Sequence, residues 1–349
     1  MAGGIGSRFW PMSTSKNPKQ FHDILGTGKT LIQQTYDRFI KIAPKENIFV
    51  ITNKEYEALT LQQLPELNEN QVIGEPMMMN TAACILYMAK KINAINPNAN
   101  MIVAPSDHVI LEENNFITIA LNAISIAENE NALITLGIKP TRPDTGYGYI
   151  QYINGEKDHK KVKTFTEKPN EELAKSFIDS GDFLWNAGIF IWTSKNILKA
   201  YEKYQSDMYQ TFSTIDEFYN TEIETSKISI IYSSVHKISI DYAIMEKADN
   251  VYVIPSSFGW SDLGTWASLF ENFVKDENNN AIKGKWIKAY NAKNNIIQTS
   301  KNKAVIVEGL NGYIVADTEK ALLICPISQD QKVKEYVQEL KLNKGEEFL

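Results

Sequence analysis

The chain has 349 residues, 43% hydrophobic and 22% charged, a size and balance that suit a globular protein with one large and one small domain. Its formal net charge of −6 and pI near 5.5 exclude a general polyanion-binding surface, so no nucleic-acid partner is expected and any anion site must be local. Cys84 and Cys325 are too few for a disulfide framework or a metal knuckle. No apolar run has membrane-spanning length and no signal-peptide pattern opens the chain, so no membrane partner is expected and the cytoplasm is the expected compartment.

The opening stretch, Met1 to Gln20, reads MAGGIGSRFWPMSTSKNPKQ. Gly3, Gly4 and Gly6 precede Arg8 and Lys19, so backbone amides and two cations can converge on one anion, the chemistry of a triphosphate cradle. Arg8 suits two phosphate oxygens because its guanidinium is a fixed fork. Taken alone, the glycines read as a tight turn. A phosphate loop should follow a buried strand. None precedes this one, which predicts a natural protein beginning several residues upstream of Met1.

Apolar spacing at Leu31, Ile32, Thr35, Phe39 and Ile42 predicts a helix ending before Pro44. A strand at Ile48 to Thr52, a helix at Lys54 to Leu64 and a strand near Val72 follow. Next come a helix from Asn80 or Thr81 to Ile92, a strand at Met101 to Ala104, a helix at Asn114 to Glu128 and a strand at Ala132 to Gly137. This alternation predicts an α/β fold with a mostly parallel sheet covered on both faces. Ligands in such sheets lie beyond the carboxyl ends of strands, which singles out the loops after Gly74 and Ala104.

Tyr147 to Ile153 and Val162 to Glu167 read as strands around a polar turn, followed by a helix at Glu171 to Ser180, a strand at Trp185 to Thr193 and a helix at Ser194 to Tyr204. A short helix at Tyr242 to Lys247 precedes a strand at Val251 to Pro255. Past Asp276 the texture changes to short β-rich pieces at Asn295 to Thr299, Ala304 to Val307, Tyr313 to Ala316 and Ala321 to Ile324, closed by a helix at Gln329 to Leu342. These predict two domains, 1–276 and 281–349, the second a small β-solenoid or sheet without a clean hexapeptide repeat.

Ser106, Asp107 and His108 follow directly on the strand Met101 to Ala104. An acid at that position suits a hard divalent cation, usually Mg²⁺, and equally suits capping of the next turn. His108 alone reads as structural. Asp262, in FGWSDLGTW, lies among Gly259, Trp260, Gly264 and Trp266 and needs a partner, either a metal shared with Asp107 or the start of a helix at Thr265. In FTEKP, Glu167 suits sugar hydroxyls and Lys168 suits a phosphate, although the pair alone reads as exposed charges. WNAGIF offers Asn186 and Gly188, and DTGYGYI offers Gly146 and Gly148, as bare backbone with a polar neighbour.

Read in order, AGGIGSRFWPMS, PKQF, EP with NTA at Glu75 to Ala82, PSDH, TGYGYI, EKP, WNAGIF, SIDYAIMEKA and GWSDLGTW resemble the sugar-1-phosphate nucleotidylyltransferases, specifically the bacterial mannose-1-phosphate guanylyltransferases. The resemblance covers essentially the whole chain. It implies a Rossmann-like nucleotidyltransferase domain followed by a small left-handed β-helix-like domain, and an enzyme forming GDP-mannose from GTP and mannose 1-phosphate. It implies a catalytic set of Arg8, Lys19, Asp107, Lys168 and Asp262, with Mg²⁺ on Asp107 and Asp262. Gly3, Gly4, Gly6, Ser7, Glu75, Asn80, Thr81 and Ser106 would bind the nucleotide, and Gly146, Glu167, Lys168, Asn186 and Gly188 the sugar phosphate. A homodimer is expected. Fused members carry a phosphomannose isomerase domain that this chain stops before, so no isomerase activity is expected. Met79 and Ala83 depart from the usual Arg and Pro, which removes one cationic contact near the nucleotide.

The reaction needs little acid–base machinery, since a sugar phosphate has a second pKa of about 6 and is already largely dianionic. Within the enzyme class the competing readings are thymidylyl, cytidylyl or adenylyl transfer onto glucose 1-phosphate. Outside it stands a catalytically silent nucleotide-sugar sensor, against which both acids and both cations argue. A dinucleotide-binding dehydrogenase fits less well, because GGIGSR lacks the spacing that fold requires.

Overall fold

The alternation of strands and helices is realised in the computed structural model, which describes residues 1–299, 303–343 and 345–349. Helix α1 (Leu31–Phe39) is followed by β1 (Val50–Asn53), α2 (Glu57–Gln63), β2 (Val72–Glu75), α3 (Asn80–Ile95), β3 (Asn100–Val103), α4 (Glu113–Asn129) and β4 (Leu133–Ile138). Then come β5 (Gly148–Ile153), β6 (Lys160–Glu167), α5 (Glu171–Ser180), β7 (Phe183–Thr193), α6 (Ser194–Tyr204), α7 (Ser206–Ser213), α8 (Glu224–Ser234) and β8 (Val251–Ser256). Local caps fix several boundaries. The Asn170 side chain accepts from the Leu173 N–H at the start of α5, and Gly181 ends that helix at φ 74°. The Thr193 side chain accepts from the Asn196 N–H at the start of α6.

Two compact units result, each assembled from separated stretches. One holds Met1, Arg38–Pro105 and Ile110–Trp260; the other holds Ala2–Asp37, Ser106–Val109 and Ser261–Leu349. These units interleave along the chain, the opening segment folding with the carboxyl-terminal stretch. Trp10 Nε1 donates to the Phe348 carbonyl at 2.8 Å, and the Phe9 and Trp266 rings lie 5.3 Å apart.

In the first unit six strands form one sheet in the order β3-β7-β4-β8-β6-β5. Its direction differs from expectation. Only β4 and β8 pair in parallel, while β3 with β7, β4 with β7, β6 with β8, and β5 with β6 are antiparallel, so the sheet is mixed. The short turn between β5 and β6 forces an antiparallel hairpin, and β7 runs against both its neighbours. β1 and β2 form a separate parallel pair, with Val50 opposite Val72. A core built on Ala82 to Ala89 of α3 takes in Trp192, Tyr201, Phe212 and Tyr232.

In the second unit α9 (Trp266–Asn272) precedes β-rich pieces that stack as parallel rungs. β9 (Ala281–Lys283), β11 (Ile296–Gln298) and β13 (Tyr313–Asp317) align Ala281 with Ile296 and Ile296 with Ile314, and β10 (Trp286–Tyr290) pairs in parallel with β12 (Ala304–Glu308). The uneven steps between rungs explain the lack of a clean repeat. Asparagines bridge the turns: Asn279 donates to Asn294 Oδ1 at 2.7 Å, and Asn294 to Asn311 Oδ1 at 2.9 Å. β14 (Leu322–Pro326) closes the stack antiparallel to β13, and α10 (Val333–Leu342) follows.

Candidate active site

The residues singled out by sequence gather into two groups, one in each unit. In the second unit the chain turns at Gly6, φ 70°, where an added Cβ would stand 2.5 Å from Lys19 Cβ. Only glycine therefore lets the opening segment fold back on PKQF. The Lys19 N–H and the Ser13 hydroxyl both donate to the Ile5 carbonyl, at 3.2 and 2.8 Å, and the Gln20 amide donates to the Ala2 carbonyl at 2.6 Å. Gly3, Gly4 and Ser7 belong to this same turn. Nothing lies within 4 Å of where a Gly4 Cβ would project.

Lys19 is only 4% exposed, and its ammonium has three acceptors for its three protons. They are Asp107 Oδ2 at 2.8 Å, the Asp262 carbonyl at 2.7 Å and the Leu263 carbonyl at 3.1 Å. Lys19 thus ties together the two segments that carry the acids. Burial opposes ionisation of Asp107, but the Lys19 and His108 charges outweigh it and hold the carboxyl below its ordinary value. Asp262 Oδ1 accepts from the Gly264 N–H at 2.8 Å, next to buried Leu263 at φ 42°.

Asp262 does not cap the following helix. α9 begins on a capping box formed by Thr265 and Ser268. Arg8 Nε and Ser106 Oγ are buried without a hydrogen-bond partner in the protein. Among the described residues no three His, Cys, Asp or Glu side chains cluster as a metal cage. Asp107 and Asp262 are the two carboxylates that this group would offer to a hard cation.

In the first unit the WNAGIF segment forms a bulge. Thr135 of β4 lies opposite Phe190, but Gly137 lies opposite Asn186, so residues 187–189 bow out of register with Gly188 at φ 66°. The Asn186 amide locks this bulge. Its Oδ1 accepts from the Gly188 N–H at 3.1 Å and the Thr135 hydroxyl at 3.0 Å, while its Nδ2 donates to Asp241 Oδ1 at 2.8 Å. Glu167 is close by: a Cβ on Gly148 would stand 2.6 Å from Glu167 Oε2 and 3.6 Å from Asn186 Cβ. Lys168, at φ 47°, places its ammonium 2.8 Å from Glu167 Oε1. Such strain in a non-glycine residue is characteristic of functional sites. Gly146 precedes β5 and donates to Asp144 Oδ1 at 2.8 Å.

Glu75, Asn80 and Thr81 also lie in this unit. Glu75 ends β2 almost fully buried, with the Tyr232 hydroxyl donating to Oε1 at 3.1 Å, and burial pushes its carboxyl up to about 7. Asn80 opens α3 at φ 66°, its Oδ1 accepting the Thr81 N–H, and Thr81 Oγ1 accepts the Ile240 N–H at 2.8 Å. Asp241 went unassigned in the sequence although SIDYAIMEKA contains it. Burial, and then the Glu167 charge, raise its carboxyl to about 6.

Residues 1–279 match the nucleotidyl transferase family, and residues 289–340 match the MannoseP isomerase/GMP-like beta-helix domain. The chain belongs to the nucleotidyl transferase family. A mannose-1-phosphate guanylyltransferase of Salmonella montevideo is 34% identical over 359 residues, spanning 100% of this chain and 74% of that protein. The alginate biosynthesis protein AlgA of Pseudomonas syringae pv. tomato is also 34% identical, over 97% of this chain and 70% of its own length. A solved structure from Thermus thermophilus, described as a mannose-1-phosphate geranyltransferase, superposes with a TM-score of 0.88 at 27% identity, covering 98% of both chains. One described as a mannose-6-phosphate isomerase from Helicobacter pylori superposes at 0.61 with 25% identity, over 71% of this chain and 97% of that one.

This nucleotidyl transferase is an enzyme with an α/β transferase fold and a carboxyl-terminal β-helix-like domain. Among its described residues no helix is long and apolar enough to cross a membrane.

Proposed function

We propose that this nucleotidyl transferase moves GMP from GTP to α-D-mannose 1-phosphate, releasing pyrophosphate and GDP-mannose. The observation that carries the reading is the Lys19 ammonium fastened to Asp107 and to the Asp262 segment, within the unit where Arg8 Nε and Ser106 Oγ lack partners. Similarity to a guanylyltransferase over 100% of this chain and 74% of that protein supports the choice of base and sugar. In this reading residues 1–276 perform the chemistry and residues 281–349 form the β-helix-like domain.

A phosphate oxygen of the sugar phosphate attacks the α-phosphorus of GTP as the bond to pyrophosphate breaks on the opposite side. No proton needs to be removed from the nucleophile, whose second pKa is about 6. The work of the protein is to bring two polyanions together and align them. Arg8, the Ser106 hydroxyl and the backbone amides around Gly3, Gly4, Gly6 and Ser7 bind the triphosphate. Glu75, Asn80 and Thr81 face the nucleoside end. Lys168 neutralises the sugar phosphate, Glu167 accepts from sugar hydroxyls, and Gly146, Asn186 and Gly188 shape the backbone around them.

Asp107 and Asp262 would hold a Mg²⁺ ion, which when bound supplies positive charge to the phosphates. Lys19 keeps those two acids in place. The reading extends to a cytoplasmic homodimer, and light scattering on the purified protein checks the dimer. Incubating the chain with GTP, mannose 1-phosphate and Mg²⁺ and weighing the products by mass spectrometry tests the reaction. GDP-mannose is expected, and its absence with intact protein would overturn the assignment.

A further inference from the structure

The five-residue turn Asp241–Met245 is π-helical, an uncommon geometry that recurs at functional sites, and it is anchored on both sides. Ala243, Ile244 and Met245 are at most 1% exposed, and the preceding Ile240 N–H is held by Thr81 Oγ1 at 2.8 Å. Asp241 therefore projects from a rigid base. Its Oδ1 accepts from Asn186 Nδ2 at 2.8 Å, across a separation of 55 residues. That contact orients the amide, because Asn186 can offer its oxygen to both the Thr135 hydroxyl and the Gly188 N–H only while its nitrogen faces Asp241. The bulge at Gly188 is thus set by a side chain from a distant turn.

We infer that Asp241 is a positioning residue for the sugar-phosphate half of the reaction: it fixes the Asn186 amide, and through it the Gly188 bulge beside Glu167. The inference rests on the guanylyltransferase reading above and names a residue to which that reading gives no role. A direct contact between Asp241 and substrate is not required.

Steady-state kinetics of Asp241→Ala, Asp241→Asn, Asn186→Ala and the Asp241→Ala/Asn186→Ala double variant test it, with melting temperatures recorded alongside. Asp241→Ala leaves the Asn186 nitrogen without its acceptor and should raise KM for mannose 1-phosphate about 10-fold, with KM for GTP unchanged. Asp241→Asn keeps an acceptor oxygen and should restore most of the loss. The double variant should be no worse than the poorer single one, because both changes break one contact. Equal increases in both KM values, an Asp241→Asn variant as poor as the alanine, or multiplying effects in the double variant would overturn the inference. If Asp241→Ala fails to fold, the near-isosteric Asp241→Leu, which also removes the acceptor, takes its place in the same comparison. A wild-type chain inactive on GTP and mannose 1-phosphate would instead overturn the functional reading itself.

Discussion

The Lys19 ammonium sits 2.8 Å from Asp107 Oδ2 while its remaining protons go to the carbonyls of Asp262 and Leu263. A cation so placed has two consequences, one for chemistry and one for folding. Asp107→Asn removes a carboxylate proposed to organise phosphate charge, worth several kcal/mol of barrier, so turnover should fall roughly 1000-fold. The variant should still melt cooperatively, because the Lys19 ammonium keeps both carbonyls. Lys19→Met keeps the volume but leaves Asp107 and two carbonyls without their donor, and should cost about 3 kcal/mol in urea denaturation. Near-normal turnover in Asp107→Asn would sink the role given to that acid.

Gly148 offers a cleaner probe of the sugar side. An added Cβ would lie 2.6 Å from Glu167 Oε2, the far end of a flexible side chain that can swing aside. Gly148→Ala should therefore displace the carboxylate at a cost of about 1 kcal/mol or less in stability. KM for the sugar phosphate should rise several-fold and KM for GTP should hold. A variant with both KM values intact would remove Glu167 from the sugar site.

Glu75 makes stability depend on pH. Burial, partly offset by the Tyr232 hydrogen bond, raises its carboxyl from 4.5 to about 7. Between those values the folded chain binds more protons at this site than the unfolded chain, so the contribution falls as pH rises through the window, by roughly 3 kcal/mol at most. Glu75→Gln cannot ionise and should gain on the wild type between about pH 5 and about pH 8. Urea denaturation at both pH values measures the gap. A gap that does not grow would show that Glu75 ionises normally in the fold.

Much of this architecture is legible locally. Helix α5 begins and ends, and helix α6 begins, where Asn170, Gly181 and Thr193 say they should, since a cap is a property of neighbouring residues. Strand direction is not such a property, which is why a mixed sheet read as mostly parallel. Helix α8, ETSKISIIYSS, is rich in β-branched residues and drew no assignment. It forms because Ile228, Ile231 and Tyr232 bury one face, and because Glu224 pairs with Lys91 at 2.6 Å.

The same limit applied to the site. Asp107 and Asp262 stand out through their motifs, and Lys19 through PKQF, but the contact joining Lys19 to the Asp262 carbonyl spans 243 residues. Asp241, although part of SIDYAIMEKA, shows no role in the sequence for that reason, its partner Asn186 lying 55 residues away.

The most direct test is pyrophosphate release from each nucleoside triphosphate in turn, offered with mannose 1-phosphate or glucose 1-phosphate in the presence of Mg²⁺. Release should be fastest with GTP and mannose 1-phosphate and should require both substrates. Release confined to another nucleotide, or equal with glucose 1-phosphate, would contradict the guanylyltransferase assignment.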